Sequence, residues 1–466
     1  MAADKTFDVI VIGAGPGGYV AAIRATQLGH QVALVEKDRP GGLCLNWGCI
    51  PSKALLKSAE LFEKLKKGAT FGIQADNLRF DLDAIVDRSR GISERIVSGV
   101  EYLLKKNKIE QIKGDASLVS ATEIAVNTAE GKRVLKTRFL VLATGTRPRD
   151  LPGIQRDGER VISSKEALVL KTLPKRLVII GAGAIGMEFA YFYRCLGSEV
   201  TVLEALDRVL PVEDEEISTV VAKSFKKQGI QMETGAKVAS VARKDGVVEV
   251  NYEAAGAKKK ITADYSLVAV GVTPNIESLG LDAVGVKTYP KGIQVNEHMQ
   301  TAVKNIYAIG DVIGPPWLAH VASAEGVHAV EHLSGHNLHP IRYDTIPACT
   351  YCKPEVASVG YTERRAKEAG IEYKVSKFPF QASGRALASG DTEGMVKLLF
   401  EKKYGALIGA HIVGGEATEM IHELALAINL EATAEEIGKT VHAHPTLGEC
   451  VMEAALDFLG ERIHGA

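Results

Sequence analysis

The chain has 466 residues, of which 46% are hydrophobic, and a formal net charge of −1. Its length predicts two to four domains, its balanced charge argues against nucleic-acid binding, and no run of 18 or more apolar residues predicts a membrane span. Six cysteines are too few for a secreted disulfide scaffold, so we expect a reducing compartment, where a cysteine pair is more often catalytic than structural.

The first elements predict a nucleotide-binding unit. After a start without a signal-peptide pattern, residues 7–12 are typical of a buried parallel strand, followed by the motif GAGPGG and an alanine-rich helix that ends near residue 29. A second strand, residues 31–35, leads to an acidic residue. In such a unit the glycines allow a tight turn and close approach to a pyrophosphate, and the carboxylate binds ribose hydroxyls. The predicted binding residues are Gly13, Gly15, Gly18 and Glu36.

Two cysteines, Cys44 and Cys49, follow this unit with four residues between them. A thiol pair beside a redox cofactor can pass two electrons between a disulfide and that cofactor. On an ideal helix their Cα atoms would be roughly 8–9 Å apart, whereas a disulfide needs about 7 Å or less. The thiols can therefore pair only if this segment is irregular, and Gly48 supplies the backbone freedom. Two structural thiols in a core helix are the alternative.

The nucleotide-binding pattern then returns. A strand at residues 177–180 runs into the motif GAGAIG, a helix to residue 197 and a strand at residues 199–203. In both copies the acidic residue follows the first glycine by 23 residues, and each half closes with a buried strand that ends in a glycine three residues before a proline. The duplication predicts an α/β fold with two Rossmann-like dinucleotide-binding domains. The second set of binding residues is Gly181, Gly183, Gly186 and Glu204.

The residues after Glu204 indicate which nucleotide the second copy binds. A site for a 2′-phosphate usually replaces the acidic residue or offers a nearby arginine, and here no arginine occurs before Arg208. We therefore predict NAD. The first half is longer than the second and its additional residues include the thiols, so we assign the redox chemistry to the first half.

Together these segments resemble the pyridine nucleotide–disulfide oxidoreductases, and within them the branch that oxidises dihydrolipoamide. The resemblance extends over essentially the whole chain. It includes residues 301–311, similar to the second flavin motif of the family, and the segment HAHPTLGE at residues 442–449, similar to its catalytic-base segment. The chain departs from the common family pattern at Leu43 and Trp47, where threonine and valine are usual, and this leaves the packing of the thiol segment open.

The resemblance implies roles for individual residues. Cys44 and Cys49 would form the redox-active disulfide, His444 would accept the proton of the substrate thiol, and Glu449 would orient His444, with His442 as a supporting residue. FAD would occupy the first site, with Asp311 on its ribityl chain and Lys53 near its ring, paired with Glu188. Further contacts are implied to FAD from Lys37, Gly42, Ala116, Thr144, Gly145 and Ala319, and to NAD from Val238 and Gly271.

The resemblance also implies a domain plan. Residues 1–147 and 272–345 would form the FAD-binding and central parts, residues 148–271 the NAD-binding domain, and residues 346–466 an α+β dimerisation domain with strands near residues 355–359, 396–400 and 406–413 and helices from Ala417 and Ala434. A homodimer would be required, because in the family the base reaches the dithiol of the partner chain. Lipoyl domains and the acyltransferase core of a 2-oxoacid dehydrogenase or glycine cleavage complex are the other expected partners, in a bacterial cytoplasm rather than an organelle matrix.

Three remaining patterns favour structural interpretations. Cys349 and Cys352 match a redox or zinc spacing, but they fall on an extended segment without a second cysteine pair, which favours structural thiols. Histidines 328, 332 and 336 recur at four-residue intervals, and we interpret them as a polar helix face rather than a metal site. Lysines 258–260 are predicted to mark a hairpin turn.

Other functions remain possible from the sequence. A glutathione reductase would favour NADPH, a mercuric reductase would carry cysteines near its C-terminus, and a soluble transhydrogenase would lack the dithiol. From a different class, the chain could be a non-catalytic flavin-bearing scaffold on an acyltransferase core. Replacement of Cys49 by serine separates the two classes, because only an enzyme would lose activity.

Overall fold

The computed structural model describes residues 6–465. These residues form two compact units, each assembled from three stretches of sequence. Of the described residues, the first unit combines 6–55, Asp81–Arg149 and Gly271–Ile341, and the second combines Leu56–Phe80, Asp150–Val270 and 342–465. Within residues 6–465, no helix is both long and apolar enough to cross a membrane.

A seven-stranded sheet is the centre of the first unit. Its central strand, Thr6–Ile12, pairs in parallel with Val32–Glu36 on one side and with Gly131–Leu142 on the other. The central strand is almost entirely buried, as expected for a parallel sheet covered on both faces. The other strands are Glu110–Lys113, Asp115–Ser120, Glu123–Thr128 and Ile306–Ala308, and the main helices are Pro16–Gln27, Gly42–Trp47, Cys49–Lys66, which continues beyond this unit, Leu82–Lys106 and Ala319–Leu333.

Two helices of the first unit pack so closely that glycines are required between them. A Cβ atom on Gly17 would lie 2.9 Å from the carbonyl oxygen of Ala322, and one on Gly326 would lie 2.7 Å from the carbonyl oxygen of Gly17. The helix after the first glycine motif is therefore held against Ala319–Leu333. The short elements of this unit are Thr146–Pro148, Val272–Pro274, Asp282–Val284, Thr288–Tyr289, Gly292–Ile293 and Gly310–Ile313.

The second unit repeats the parallel arrangement around the second glycine motif. Five parallel strands lie in the order Gln231–Glu233, Glu199–Leu203, Arg176–Ile180, Tyr265–Val268 and Val161–Ile162. The helix Ala184–Cys195 follows the glycines, and Glu215–Lys227 follows the acidic residue. The predicted strand–glycine–helix–strand order is present in both units, with element bounds that differ from the expected ones by one or two residues.

A three-stranded antiparallel sheet comes next, formed by Lys237–Lys244, Val247–Ala254 and Ala257–Ala263. The prediction that lysines 258–260 mark its turn was wrong, because they lie within the last strand. The turn is at Ala255 and Gly256, which have φ angles of 51° and 75°. Positive φ at both central residues is what a two-residue hairpin requires, so the backbone rather than the charge decides where the chain turns.

The C-terminal part of the second unit is a five-stranded antiparallel sheet covered by helices. Its strand order is Ala348–Thr350, Glu355–Gly360, Leu407–Gly414, Met395–Glu401 and Tyr373–Pro379. Helices Ala417–Asn429, Ala434–Lys439 and Glu449–Leu459 bury their apolar faces against it. The expected strands and both expected helix starts are confirmed to within about two residues. Shorter elements of this unit are Gly68–Phe71, Ser164–Ala167, Tyr343–Thr345, Glu363–Glu368, Phe380–Ala382 and Gly384–Ser389.

Candidate active site

The first glycine motif forms a backbone turn that only glycine can make. Gly13 has a φ of +101°, and a Cβ atom there would lie 2.2 Å from the carbonyl oxygen of Ala143. A Cβ atom on Gly18 would lie 1.9 Å from the carbonyl oxygen of Gly13. The next helix begins at Pro16 after Gly15, which caps it without a side-chain hydrogen bond. The N–H groups of the first helical turn therefore face a position where a pyrophosphate can bind.

Glu36, the last residue of its strand, lies next to this turn. Its carboxylate accepts hydrogen bonds from the backbone N–H of Ala14, at 2.7 Å, and from that of Asp38, at 2.9 Å. These bonds fix the carboxylate between the glycine turn and the end of its strand, the position expected for an acceptor of ribose hydroxyls.

The second glycine motif repeats these contacts. Gly181 has a φ of +105°, and a Cβ atom there would lie 2.4 Å from the carbonyl oxygen of Ala269, while one on Gly186 would lie 1.9 Å from that of Gly181. The buried carboxylate of Glu204 accepts from the backbone N–H of Ala182 at 2.6 Å and from that of Leu206 at 2.9 Å. Both glutamates thus hold the same place relative to their glycine turns.

The arginine that comes after the second motif is already paired. Arg208 donates to the Asp207 carboxylate at 3.0 Å and lies 2.5 Å from that of Glu215. These two carboxylates raise the pKa of Arg208. The guanidinium is thus ion-paired with neighbouring carboxylates, which argues against its binding a 2′-phosphate.

The thiols lie on two helices separated by a break. Gly42–Trp47 ends at Gly48, whose φ and ψ are −146° and −111°, and the next helix starts at Cys49. A Cβ atom on Gly48 would lie 3.1 Å from the carbonyl oxygen of Leu43. The irregular segment predicted from the spacing is confirmed, because the chain does not continue as one helix between the two cysteines.

Both thiols are half-buried and interact with each other. A hydrogen bond with Cys49 raises the pKa of Cys44, burial raises it further, and the charge of Lys53 acts in the opposite direction. Contact with Cys49 and burial thus favour the protonated form of the Cys44 thiol, and Lys53 favours its thiolate.

The two unusual residues of the thiol segment have defined surroundings. Leu43 is 36% exposed, whereas the Trp47 ring is covered by the guanidinium of Arg90, whose central carbon lies 4.4 Å from the ring centroid. Arg90 also donates to the carbonyl oxygen of Asn46. An arginine that stacks on an indole and binds the same backbone stabilises this helix next to the cysteines.

Several residues expected around the flavin are brought together in the first unit. The Asp311 carboxylate accepts from the Thr146 hydroxyl at 2.8 Å, and burial raises the pKa of Asp311. Thr144 donates from its hydroxyl to the carbonyl oxygen of Asn275 at 2.8 Å, and the Asn275 amide donates to the carbonyl oxygen of Thr144 at 2.9 Å. Gly145, at a φ of +64°, is thereby fixed between two strands.

The other expected binding residues lie on the elements that carry them in the sequence. Gly42 approaches the first motif so closely that a Cβ atom there would lie 2.7 Å from Gly15 Cα. Ala116 is buried, and Ala319 is the first residue of its helix. In the second unit, the buried carboxylate of Glu188 accepts from the backbone N–H of Tyr351 at 3.0 Å. Of the rest, Lys53 and Val238 are half-buried and Lys37 and Gly271 are exposed.

The residues of the first unit fit a dinucleotide of the FAD type. The glycine turn leaves no room for a side chain, the helix start offers N–H groups that have no acceptor within the helix, and Glu36 lies where a ribose would bind. Asp311 offers a half-buried carboxylate in the same unit, which accepts from the Thr146 hydroxyl. A bound polyol would supply the further hydroxyl donors that this carboxylate can accept.

His444 and Glu449 form a pair in the second unit. His444 Nδ1 lies 2.9 Å from Glu449 Oε1, and Glu449 Oε2 accepts from the backbone N–H of Thr446 at 2.9 Å. The Thr446 N–H and then His444 lower the pKa of Glu449. Since the ionised carboxylate can only accept, Nδ1 carries a hydrogen and Nε2 is left to act as a base. The His444 side chain is 79% exposed.

The remaining cysteine and histidine patterns are those that the sequence favours as structural. Cys352 is fully buried, and burial raises the pKa of its thiol. His336 lies beyond the helix Ala319–Leu333, and His328 is buried, so the prediction of a polar helix face with three histidines was wrong. His298, which sequence periodicity could not indicate, instead lies 3.0 Å from His328 and stacks on His332.

One carboxylate cluster within residues 6–465 has the spacing of a metal site. Asp214, Glu216 and Glu363 converge, and the ammonium of Lys397 lies between them, at 2.7, 3.0 and 2.6 Å respectively. Because Lys397 is only 1% exposed, these three acids balance a buried cation.

The sequence pattern of the pyridine nucleotide-disulphide oxidoreductases matches residues 7–326, and that of the dimerisation domain of the same family matches residues 346–455. The chain therefore belongs to the pyridine nucleotide–disulphide oxidoreductase family, and the resemblance inferred from the sequence is confirmed.

Comparison with curated relatives indicates which members of this family the chain is similar to. The chain is 47% identical to a dihydrolipoyl dehydrogenase of Rhizobium etli, with 98% of each chain covered, and 45% identical to one of Zymomonas mobilis, with 98% and 99% covered. Among solved structures it is similar to LpdA from Mycobacterium tuberculosis, with a TM-score of 0.91, 30% identity and coverage of 97% and 99%. It is also similar to the HOCl-induced flavoprotein disulfide reductase RclA from Escherichia coli, with a TM-score of 0.86, 26% identity and coverage of 96% and 99%.

Proposed function

We propose that the protein is a dihydrolipoyl dehydrogenase, which oxidises protein-bound dihydrolipoamide to lipoamide with NAD as the hydride acceptor. The observation that carries the proposal is the thiol pair on an interrupted helix directly after the first glycine motif. Relatives that bear this name cover 98% of the chain. The paired state of Arg208 supports NAD over NADP.

The thiol exchange is assigned to Cys44, Cys49 and His444. His444 Nε2 takes the proton of a substrate thiol, and Glu449 stabilises the imidazolium. The substrate thiolate attacks the Cys44 sulfur, so that a mixed disulfide forms, the Cys44–Cys49 bond breaks and Cys49 leaves as a thiolate. The second substrate thiol then attacks the substrate sulfur of the mixed disulfide, which closes the lipoamide ring and breaks the bond to Cys44, and its proton passes to the released Cys44 sulfur. The substrate loses two electrons and the enzyme disulfide gains them. The assignment of Cys49 as the leaving sulfur follows the resemblance to the family.

The first unit would hold FAD through the glycine turn, Glu36 and Asp311, with Lys53 near its ring. When bound, FAD supplies the two-electron transfer that connects the enzyme dithiol to NAD. Lys53 places a positive charge near Cys44 and so helps to retain a thiolate in the pair. Glu204 and the second glycine turn would bind NAD.

The protein is proposed to act as a homodimer in which each active site uses the partner's base. The match to the dimerisation domain supports this assembly, and the 79% exposure of His444 leaves its imidazole available to another chain. Lipoyl domains and the acyltransferase core of a 2-oxoacid dehydrogenase or glycine cleavage complex are the proposed partners. The bacterial sources of the relatives favour the cytoplasm.

The test is to mix the purified protein with dihydrolipoamide and NAD and to follow NADH by absorbance, with NADPH and oxidised glutathione in a parallel assay. NADH formation that depends on dihydrolipoamide is the expected result. NADPH oxidation by glutathione without the first reaction would overturn both the substrate and the nucleotide assignment. Inactivity in both assays with FAD bound would overturn the enzyme assignment and favour a flavin-bearing scaffold.

A further inference from the structure

His442 lies behind the His444–Glu449 pair and is more enclosed than either. Its side chain is 8% exposed, against 79% for His444 and 27% for Glu449. Its Nδ1 lies 2.8 Å from the backbone carbonyl oxygen of Thr440, and its Nε2 lies 2.8 Å from Oε1 of Glu423. Both ring nitrogens of a nearly buried imidazole are therefore in contact with oxygen atoms.

The chemistry of these two partners determines the protonation of the ring. A backbone carbonyl oxygen can only accept a hydrogen bond, and so can a carboxylate at neutral pH. A neutral imidazole has a single N–H and could satisfy only one of them. Both contacts are satisfied together only when both nitrogens carry hydrogens, which is the imidazolium form.

The ring also lies against the residue that precedes Glu449. A Cβ atom on Gly448 would lie 3.2 Å from Cδ2 of His442, so the backbone at the start of Glu449–Leu459 packs on the imidazole. The charged groups that face His442 are Glu423, from the helix Ala417–Asn429, and Glu449. The ammonium of Lys439 is paired with Glu435 on the exposed surface of its own helix. The Glu423 hydrogen bond raises the pKa of His442, and the charge of His442 is among the causes that lower the pKa of Glu449.

We infer that His442 is a positioning residue that carries a fixed positive charge, held by Glu423 and the Thr440 carbonyl, which adds to the stabilisation of ionised Glu449 and limits the proton affinity of the His444–Glu449 pair. The inference rests on the proposed function of that pair. A base that must lose its proton in every turnover works best when its proton affinity matches the working pH. A second cation nearby lowers this affinity, because the imidazolium of His444 then forms beside a like charge.

The first test is the pH profile of kcat/KM for dihydrolipoamide in the intact dimer with FAD. His442→Gln removes the cation and leaves Glu423 negative, so the ascending limb is expected to move to higher pH by about half a pH unit. Glu423→Gln removes the carboxylate that holds the proton, and the limb is expected to move in the same direction by less. Glu419→Gln, which makes the same charge change one helical turn away, is expected to leave the profile unchanged.

A second measurement does not depend on activity. Because the pKa of His442 is raised in the folded protein, its contribution to stability is full below the unfolded value and is lost as the pH rises through the folded value. The melting temperature of the unsubstituted protein should therefore exceed that of His442→Gln by more at pH 6 than at pH 9. An excess that does not change with pH would overturn the fixed charge, even if the protein did not oxidise dihydrolipoamide.

The combined outcomes separate a charge effect from a packing effect. Lower turnover of His442→Gln with an unshifted pH profile would mean that the ring only fills space, which would overturn the inference. Gly448→Ala is the complementary variant, since its methyl group would displace the ring by a few tenths of an ångström and keep the charge. We expect Gly448→Ala to lower kcat with little change in the position of the ascending limb.

Discussion

The two glycine-rich units agree in individual contacts and differ in the segment that leaves each motif. In both, the first glycine has a φ near +100° and faces the carbonyl oxygen of an alanine that directly follows a strand of the sheet. In both, the residue after that glycine gives its N–H to a glutamate carboxylate. The carbonyl oxygen of this same residue accepts a hydrogen bond from a later backbone N–H group, that of Gly41 in the first unit and that of Leu210 in the second. The shared contacts thus define a dinucleotide cradle rather than a reaction.

The difference begins at the middle glycine of each motif. In the first unit, the segment that leads to the thiols passes close to the glycine motif. A Cβ atom on Gly42 would lie 2.7 Å from the Cα atom of Gly15. In the second unit a Cβ atom on Gly183 would meet nothing within 4 Å. The same cradle therefore lies against the thiol-bearing segment in one copy and is open at its middle glycine in the other, so the two copies differ in the inserted segment.

The largest effect is expected from removal of a thiol. Cys49→Ser should lower the turnover of dihydrolipoamide by at least about 10³-fold, because no disulfide can form and thiol exchange with the substrate stops. FAD absorbance should remain, since the first glycine turn is intact. Cys349→Ser is the matched control, as another half-buried thiol, and should keep most of the activity. If Cys49→Ser kept its turnover, the assignment of the redox chemistry to the thiol segment of the first unit would be wrong.

A second variant pair tests whether each turn serves its own nucleotide. Gly13→Ala should yield protein without FAD, and Gly181→Ala should retain FAD but lose NAD binding, since each methyl group would collide with a carbonyl oxygen at a positive φ, which costs about 2 kcal/mol or more. Flavin absorbance and NAD titration measure the two outcomes. Gly183→Ala, with open space around it, should leave the fold unchanged, and a collapse of this control would show that the clash argument fails.

The acidic residues should give intermediate effects. Glu36→Gln is expected to weaken FAD binding, and Glu204→Gln to raise the KM for NAD, each by about 10-fold to 100-fold, because a charge-assisted hydrogen bond contributes about 1.5–3 kcal/mol. Each variant should affect only its own nucleotide. Weaker FAD binding in Glu204→Gln would contradict the assignment of the two cradles.

The smallest effect is expected at Arg208. Its guanidinium is held by Asp207 and Glu215, so Arg208→Ala should change the ratio of kcat/KM for NAD and NADP by less than about twofold. Steady-state assays with both nucleotides measure this ratio. A large loss of NADP activity would show that the arginine leaves its carboxylates to bind a 2′-phosphate.

Much of this arrangement could be predicted from the sequence, because the signals are local. Parallel strands, glycine turns and acidic strand ends occur within about 25 residues of one another, and the break at Gly48 was expected from the reach of a disulfide. The pairing of His444 with Glu449 was implied by resemblance, and the structure adds the 2.9 Å contact.

Contacts between distant parts of the sequence could not be predicted. Arg90 covers Trp47 across 43 positions of the chain, and His298 joins His328 and His332 from a loop without periodicity. The hairpin turn was predicted at lysines 258–260 from their charge, whereas positive φ angles determine where the chain turns. The contact of His442 with Glu423 likewise joins a loop to a helix 19 positions earlier in the chain.

The discontinuous composition of the units has a consequence for synthesis on the ribosome. The strand Ile306–Ala308 pairs with Gly131–Leu142, so the sheet that carries the first glycine motif is completed only after about two thirds of the chain has emerged. The second glycine motif lies in a unit whose last stretch is Arg342–Ala466. The first cradle can therefore not reach its final form early in translation, and we expect FAD to be captured only after the strand Ile306–Ala308 has emerged.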